Sequence, residues 1–195
     1  MTSASAPIPA TGVLLAAGWG RRAGGPKALI ELDGRRLWQV RRDALLDAGL
    51  ARVVAVVHPW ARTDVDADPD TLIGDPDATP LHSLLVALAH VETGPVVVQH
   101  VDGGGPSPET LGRLYAQSLA VPTALALRPV VVVDGVVRGG HPVWLSAAAC
   151  TLLRGLDPAH HRLDVVLRGW GQAYLDVPVE DLNVLANFNR DGVAS

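Results

Sequence analysis

The stretch Leu15-Ala16-Ala17-Gly18-Trp19-Gly20-Arg21-Arg22-Ala23-Gly24-Gly25-Pro26-Lys27 decides how the rest of the chain is read. It follows directly from an apolar run, Gly12 to Ala17, that reads as a buried strand. Glycines at a strand end let backbone N–H groups converge on an anion, and Arg21, Arg22 and Lys27 add positive charge. Two familiar phosphate loops are excluded. A Walker loop needs Gly-Lys-Ser/Thr opening a helix, whereas Pro26 precedes this lysine and Ala28 follows it. A dinucleotide fingerprint needs G-x-G-x-x-G and an acid after the second strand; here the glycines are spaced more widely and Val57 leads into His58-Pro59. Lys27 is also the only lysine among 16 basic residues. In a composition that uses arginine everywhere else, a compact charge on a flexible stem has been kept at this one position.

Outward from the loop, apolar strand-like runs alternate with helical spacing. Ala28 to Leu32 continues the first run after the loop, and Leu37 to Ala48 reads as a helix ending at Gly49. Arg52 to Val57 is a second buried strand, Thr71–Ile73 a short one, Leu81 to His90 a helix, and Pro95 to Gln99 a third main strand. Pro108 to Leu119 is a helix with Ser107 as its cap. Val130 to Val133 and Val136 to Arg138 flank Asp134-Gly135, a type I′ hairpin signal. Helices around Ser146 to Arg154 and His161 to Arg168, a strand from Gln172 to Val177 and an irregular tail complete the chain. This alternation implies a three-layer α/β/α sandwich, Rossmann-like, around a mixed, mostly parallel sheet. Residues 1–11 read as a flexible N-terminal segment and 12–195 as one domain. Ligands of such sheets bind beyond the strands' carboxyl ends, which points to Gly18–Lys27, Asp102 and the Gly139–His141 turn.

Composition narrows the class. A net charge of -4 argues against coating nucleic acid, which needs a basic face. The single cysteine, Cys150, lies among apolar residues and reads as core; no Cys/His spacing resembles a zinc site. The longest apolar runs, such as Pro129 to Val133, are too short to span a bilayer, and the start lacks signal-peptide character. The expectation is a cytoplasmic protein. His160 and His161 read as solvated surface, and Trp19 either covers a nucleotide or packs on the scaffold.

The loop from Leu15 to Lys27 resembles the L-A-A-G-x-G-x-R-x-G-x-P-K signature of nucleotidyltransferases with the nucleotide-diphospho-sugar transferase fold, nearest in pattern to the molybdenum cofactor cytidylyl/guanylyltransferase branch. L-A-A-G is more like the cytidylyl arm, so CTP is favoured over GTP. Other segments are similar to that family: Asp75-Pro76 with Leu81-His82-Ser83-Leu84, Val101-Asp102 with Ser107-Pro108-Glu109-Thr110-Leu111, Gly140-His141-Pro142-Val143, and Val177-Pro178-Val179-Glu180-Asp181 through Asn187-Phe188-Asn189. The resemblance implies that Leu15, Ala16, Ala17, Gly18, Gly20, Arg21, Lys27, Asp75 and Ser83 bind nucleotide. It assigns Arg22 and Lys27 to the triphosphate, Asp102 to magnesium together with Asn187 and Asn189, and Gly140, His141 and Pro142 to the acceptor. It implies a Mg2+-dependent transfer of a nucleoside monophosphate from NTP to a phosphorylated small acceptor of molybdopterin type, with a molybdoenzyme or cofactor-pathway protein as partner. Alternatives are a sugar-phosphate or alcohol-phosphate nucleotidyltransferase and a non-catalytic relative that binds nucleotide or a partner protein.

Three departures bear on this. The closing D-x-D-T-P-E-D is replaced by Asn187-Phe188-Asn189-Arg190-Asp191-Gly192-Val193, and amides bring no negative charge to a metal. Gly103-Gly104-Gly105 takes the place of the proline after the aspartate and predicts a flexible loop. Pro80 stands where the family has a glycine; lacking an N–H, it predicts a reshaped base pocket.

Overall fold

The computed structural model describes residues 7–21, 24–64 and 68–188. In chain order they form β1 (Thr11–Ala16), β2 (Glu31–Leu32), β3 (Arg35–Arg36), α1 (Leu37–Asp47), β4 (Val53–Val57), β5 (Thr71–Ile73), α2 (Pro80–His90), β6 (Val96–His100), α3 (Pro108–Ala120), β7 (Ala126–Val133), β8 (Val136–Gly139), β9 (Val143–Leu145), α4 (Ala147–Arg154), α5 (Leu163–Gly169) and β10 (Tyr174–Pro178). Strands β1, β4 and β6 are buried along their length without alternation, as strands covered on both faces must be. They lie side by side in parallel, β1 in the middle, with Ala16 level with Val57 and Leu15 with His100. Their carboxyl ends, and the loops that leave them, therefore share one edge.

The sheet order is β10-β7-β9-β6-β1-β4-β5. β9 runs antiparallel to both β6 and β7, while β10 is parallel to β7. β8 folds back on the far half of β7 through Asp134 and Gly135, both at positive φ (51° and 76°) as the type I′ signal requires. The mixed, mostly parallel sheet expected from the sequence is present, and it has helices on both faces. Leu14, Ala16, Ala55, Val57, Val97 and Leu127 point to one side, against Leu37, Trp38 and Leu45 of α1 and Leu111 and Leu114 of α3. Val13, Leu15, Val54, Val56, Val96 and Val98 point to the other, against α2, α4 and α5. Cys150 is fully buried there, and its thiol pKa is pushed up to about 11 by burial.

Several local expectations change. Ala28 to Leu32 does not extend β1: Lys27–Leu29 is a 3₁₀ turn, and β2 pairs with β3 as a separate ribbon. Asp33-Gly34, with φ of 49° and 77°, supplies the same hairpin chemistry as Asp134-Gly135. Within the N-terminal segment read as loose, Ile8 is buried, bridges Leu50 and donates its N–H to Gly49 O at 2.9 Å. Pro80 opens α2 at its first position, where an N–H has no intrahelical acceptor, and Thr79 Oγ1 accepts from His82 N at 3.2 Å. The missing donor therefore costs the helix nothing. Among the described residues no helix is long and apolar enough to cross a membrane.

Candidate active site

The loop that leaves β1 is shaped by its own glycines. Gly20 has φ +56°, and a Cβ there would collide with the Gly25 carbonyl oxygen; Gly25 N donates back to Gly20 O at 3.3 Å. This closure returns the chain so that Pro26 presents Lys27 at the head of its 3₁₀ turn, over the carboxyl ends of β1 and β6. Lys27 Nζ lies 2.9 Å from Asp102 Oδ2, the side chains being 16% and 32% exposed. Residues 75 apart in sequence thus meet at a partly buried ion pair. The pair stands in a cleft of about 470 Å³ lined also by Leu15, Ala17, Gly18, Gly20, Arg21, Ala78, Pro80, Ser83, His100 and Val101.

Asp102 is held by the chain's closing segment. Phe188 N donates to Asp102 O at 2.6 Å, Gly104 N donates to Ala186 O at 2.9 Å, and Gly103 forms a β-bridge with Asn187. The glycines permit this approach. A Cβ on Gly103 would collide with the Gln99 amide, one on Gly104 with the Asn183 carbonyl oxygen, and one on Gly105 would stand 2.9 Å from Ala44 Cβ. The flexible loop expected from Gly103-Gly104-Gly105 is instead a packed clasp. Asp181, between β10 and this segment, accepts from Ser107 N (2.7 Å) and Thr110 Oγ1 (3.0 Å), tying the closing segment to the start of α3. Beneath it, the Arg41 guanidinium stacks on Phe188, 4.4 Å from the ring centroid. Arg41 is 8% exposed, and its Nε and Nη2 find no partner among the described residues. Burial lowers its pKa, with Asp102 opposing the shift.

A second cleft of about 640 Å³ adjoins the first, with Pro80 and His100 in the wall of both. It runs over β9 and under α5, and Gly140 and His141 line it. The His141 ring meets His100 edge to face at 5.0 Å, and burial pushes its pKa down to about 4, so it is neutral at physiological pH. Burial likewise lowers His100.

Of the residues expected to bind nucleotide, Leu15, Ala17, Gly18, Gly20, Arg21, Lys27 and Ser83 line the first cleft. Ala16 points into the core instead, by strand alternation. Asp75 is exposed and caps its own turn, accepting from Asp77 N at 2.9 Å. Arg21 is tied to Asp77 at 2.6 Å on the surface. Arg22 and Asn189 lie outside the described residues. Asn187 is exposed, beside Gly103, and Pro142 follows a cis bond behind the second cleft's lining. Trp19 takes its scaffold role: it packs edge-on against His58 (4.7 Å) and Trp60 (5.3 Å) and does not line the first cleft. Sequence reading missed His100, Arg41, Arg128 and Tyr174. Only His100 carried a local signal, two residues before Asp102 on the same strand end.

A glycine-rich loop, a lysine and a strand-end aspartate around one cleft of a mostly parallel sheet define an enzyme of the nucleotidyltransferase class. The model of the MobA-like NTP transferase domain matches residues 12–176, and the chain belongs to that family. It is 32% identical over 157 residues to nicotine blue oxidoreductase of Paenarthrobacter nicotinovorans, covering 76% of this chain and 73% of that one. The crystal structure of Rv0371c from Mycobacterium tuberculosis H37Rv superposes with TM-score 0.68 at 24% identity, covering 88% of both chains. Its manganese complex superposes with TM-score 0.61 at 26% identity, covering 88% of this chain and 89% of that one.

Proposed function

We propose that this protein transfers a nucleoside monophosphate, CMP in preference to GMP, from a magnesium-bound NTP to a phosphorylated small acceptor of molybdopterin type. The observation that carries the reading is the Lys27–Asp102 pair at the mouth of a glycine-lined cleft. The donor set suits a cation that arrives with its nucleotide. Among the described residues no three His, Cys, Asp or Glu gather into a site, so Asp102, with Asn187 beside it, supplies one carboxylate and one amide. Asp102 and Asn187 would hold a magnesium ion together with phosphate oxygens and water, and the ion would supply neutralisation of developing charge. The manganese complex of Rv0371c supports a divalent ion.

In the transfer, an acceptor phosphate oxygen forms a bond to the α-phosphorus while the bond to the bridging oxygen breaks, and pyrophosphate leaves with that electron pair. The Gly18 and Gly20 backbone orients the triphosphate, Lys27 follows the departing charge on its flexible stem, and Asp102 is held in place by the clasp. Cytoplasmic location and a cofactor-pathway partner belong to the same reading. The test is pyrophosphate release across four NTPs with and without magnesium and a phosphorylated pterin acceptor. Release with CTP that is lost in Asp102→Ala supports the reading, and unchanged turnover in that variant removes it.

A second reading is favoured by the name of the Paenarthrobacter relative and by the apolar second cleft. Here a reduced nicotinamide cofactor passes its hydride, with a proton taken from solvent, to an aromatic substrate in the second cleft. Loss of nicotinamide absorbance with a quinonoid dye and without NTP or metal distinguishes it.

A further inference from the structure

The transfer described above makes no use of the charge beneath Asp102. Arg41 stands on the face of α1 that packs under the clasp; Ala44, three residues on and so on the same face, is the residue that closes on Gly105. The Arg41 guanidinium is stacked on the Phe188 ring, and Phe188 N holds the Asp102 carbonyl oxygen at 2.6 Å. Arg41 does not line the first cleft, yet the Asp102 carboxylate acts on it through space. Its neighbours show the ordinary use of arginine in this chain. Arg35 pairs with Asp43 and Arg42 with Asp68, each at least partly in solvent. Arg41 is instead buried, with Nε and Nη2 unpartnered among the described residues. Such burial costs stability, and an apolar side chain of similar length would fill the space without that cost. Around Asp102 two positive charges, Lys27 and Arg41, thus face one carboxylate. Lys27 sits on a flexible stem, whereas the ring over Arg41 fixes its charge in place.

We propose that Arg41 is a positioning residue of the first cleft: its fixed positive charge, acting through Asp102, makes the cleft reject a bare divalent cation and accept a phosphate or a metal–phosphate complex. The role rests on the reading of the first cleft as a phosphate site. Without Arg41, Lys27 and Asp102 cancel and the mouth of the cleft carries no net charge. With it, one positive charge remains, and burial keeps that charge poorly screened by water and salt. Coulomb's law then gives one substitution two effects of opposite sign. Removing the charge helps a cation at Asp102 and hinders an anion at Lys27. Selection against the free metal is therefore built in behind the site, by a side chain that touches neither ligand.

Isothermal calorimetry on the full chain reads both effects without turnover. The probes are manganese chloride alone and, separately, inorganic pyrophosphate with a chelator present. In Arg41→Met, Mn2+ binds tighter and pyrophosphate weaker, each by about threefold or more, as one unit charge in a partly shielded site requires. Arg41→Gln, equally neutral but polar, shows the same crossing, and thermal melts establish that both variants are folded. A packing role moves both constants in the same direction, or moves them in Arg41→Met and not in Arg41→Gln. Either of those results overturns the proposal, as does Mn2+ binding that neither variant improves, or pyrophosphate binding that neither weakens. A parent chain that does not bind pyrophosphate, or binds it equally well as Lys27→Ala, overturns the phosphate-site reading itself and Arg41's role with it.

Discussion

Replacing Gly104 by alanine separates a packed clasp from a flexible loop by the sign of its effect. None of Gly103, Gly104 and Gly105 has positive φ, so the backbone itself accepts alanine. In a loose loop, Gly→Ala at such a position stabilises by about 0.4–1 kcal/mol through the unfolded state. In this structure the new Cβ would collide with the Asn183 carbonyl oxygen and lie 3.0 Å from both the Asn183 carbonyl carbon and Ala186 Cβ. Two of those atoms are backbone in the 3₁₀ turn Leu182–Leu185, which Asp181 caps through Asn183 N at 3.0 Å, so little can yield. Overpacking of this kind costs about 1–3 kcal/mol, and backbone contact places Gly104→Ala near about 3. For a chain of this size that lowers the melting temperature by about 6–12 °C. Gly112, inside α3 with no atom within 4 Å of a built Cβ, is the control; alanine there adds about 0.5–1 kcal/mol. Circular dichroism melts of both variants against the parent make the comparison. A Gly104→Ala protein melting within about 1 °C of the parent, or above it, refutes the clasp.

The other expectations rest on single contacts. Arg41→Met removes a buried guanidinium two of whose nitrogens lack partners among the described residues, so the melting temperature stays level or rises, apolar replacements of buried charge being worth about 0–4 kcal/mol; a clear fall in a thermal melt contradicts it. His141, with its folded pKa depressed to about 4 from 6.5, takes up protons more readily unfolded than folded between those values. Its contribution is therefore present above pH 6.5 and lost as pH falls toward 4, and urea midpoints of His141→Gln fall less steeply across that window than the parent's. Asp102→Asn tightens pyrophosphate binding without metal and loosens it with magnesium, a crossing that isothermal calorimetry reads directly; a change of the same sign in both conditions contradicts it.

Where one residue decides the backbone locally, the sequence was easy to read. Ser107 caps its helix, Asp134-Gly135 turns its hairpin, and the run before Gly18 is a central strand. Asp33-Gly34 carries the same turn chemistry, but the strands it joins are only two residues each, too short to show a period of two in the sequence. The glycine triplet was misread because composition reports freedom, whereas close approach depends on what the fold brings near: Gln99, Asn183 and Ala44 are distant or unremarkable in sequence. Arg41 looks like any helix arginine until Phe188 is laid over it. The second cleft has the same origin, since Arg128, Leu163 and Tyr174 meet only after β7, α5 and β10 are placed.

The Lys27–Asp102 contact links the two parts of the site that the sequence presents separately. At 2.9 Å and partly shielded from water, the two charges hold each other in the mouth of the cleft. A phosphate entering alone must draw Lys27 from a carboxylate that also repels it. In the proposed transfer, a phosphate entering with a divalent ion would give each charge a new partner at once, lysine to phosphate oxygen and aspartate to metal. On that proposal the pair would disfavour bare anions and favour metal-bound ones, with one carboxylate rather than two. The exposed amide of Asn187 would then play a lesser part than an aspartate, and the position of Asp102 would be the quantity to protect. The clasp of Gly103, Gly104, Asn187 and Phe188 fixes that position through backbone contacts, which substitution of the closing carboxylates leaves intact.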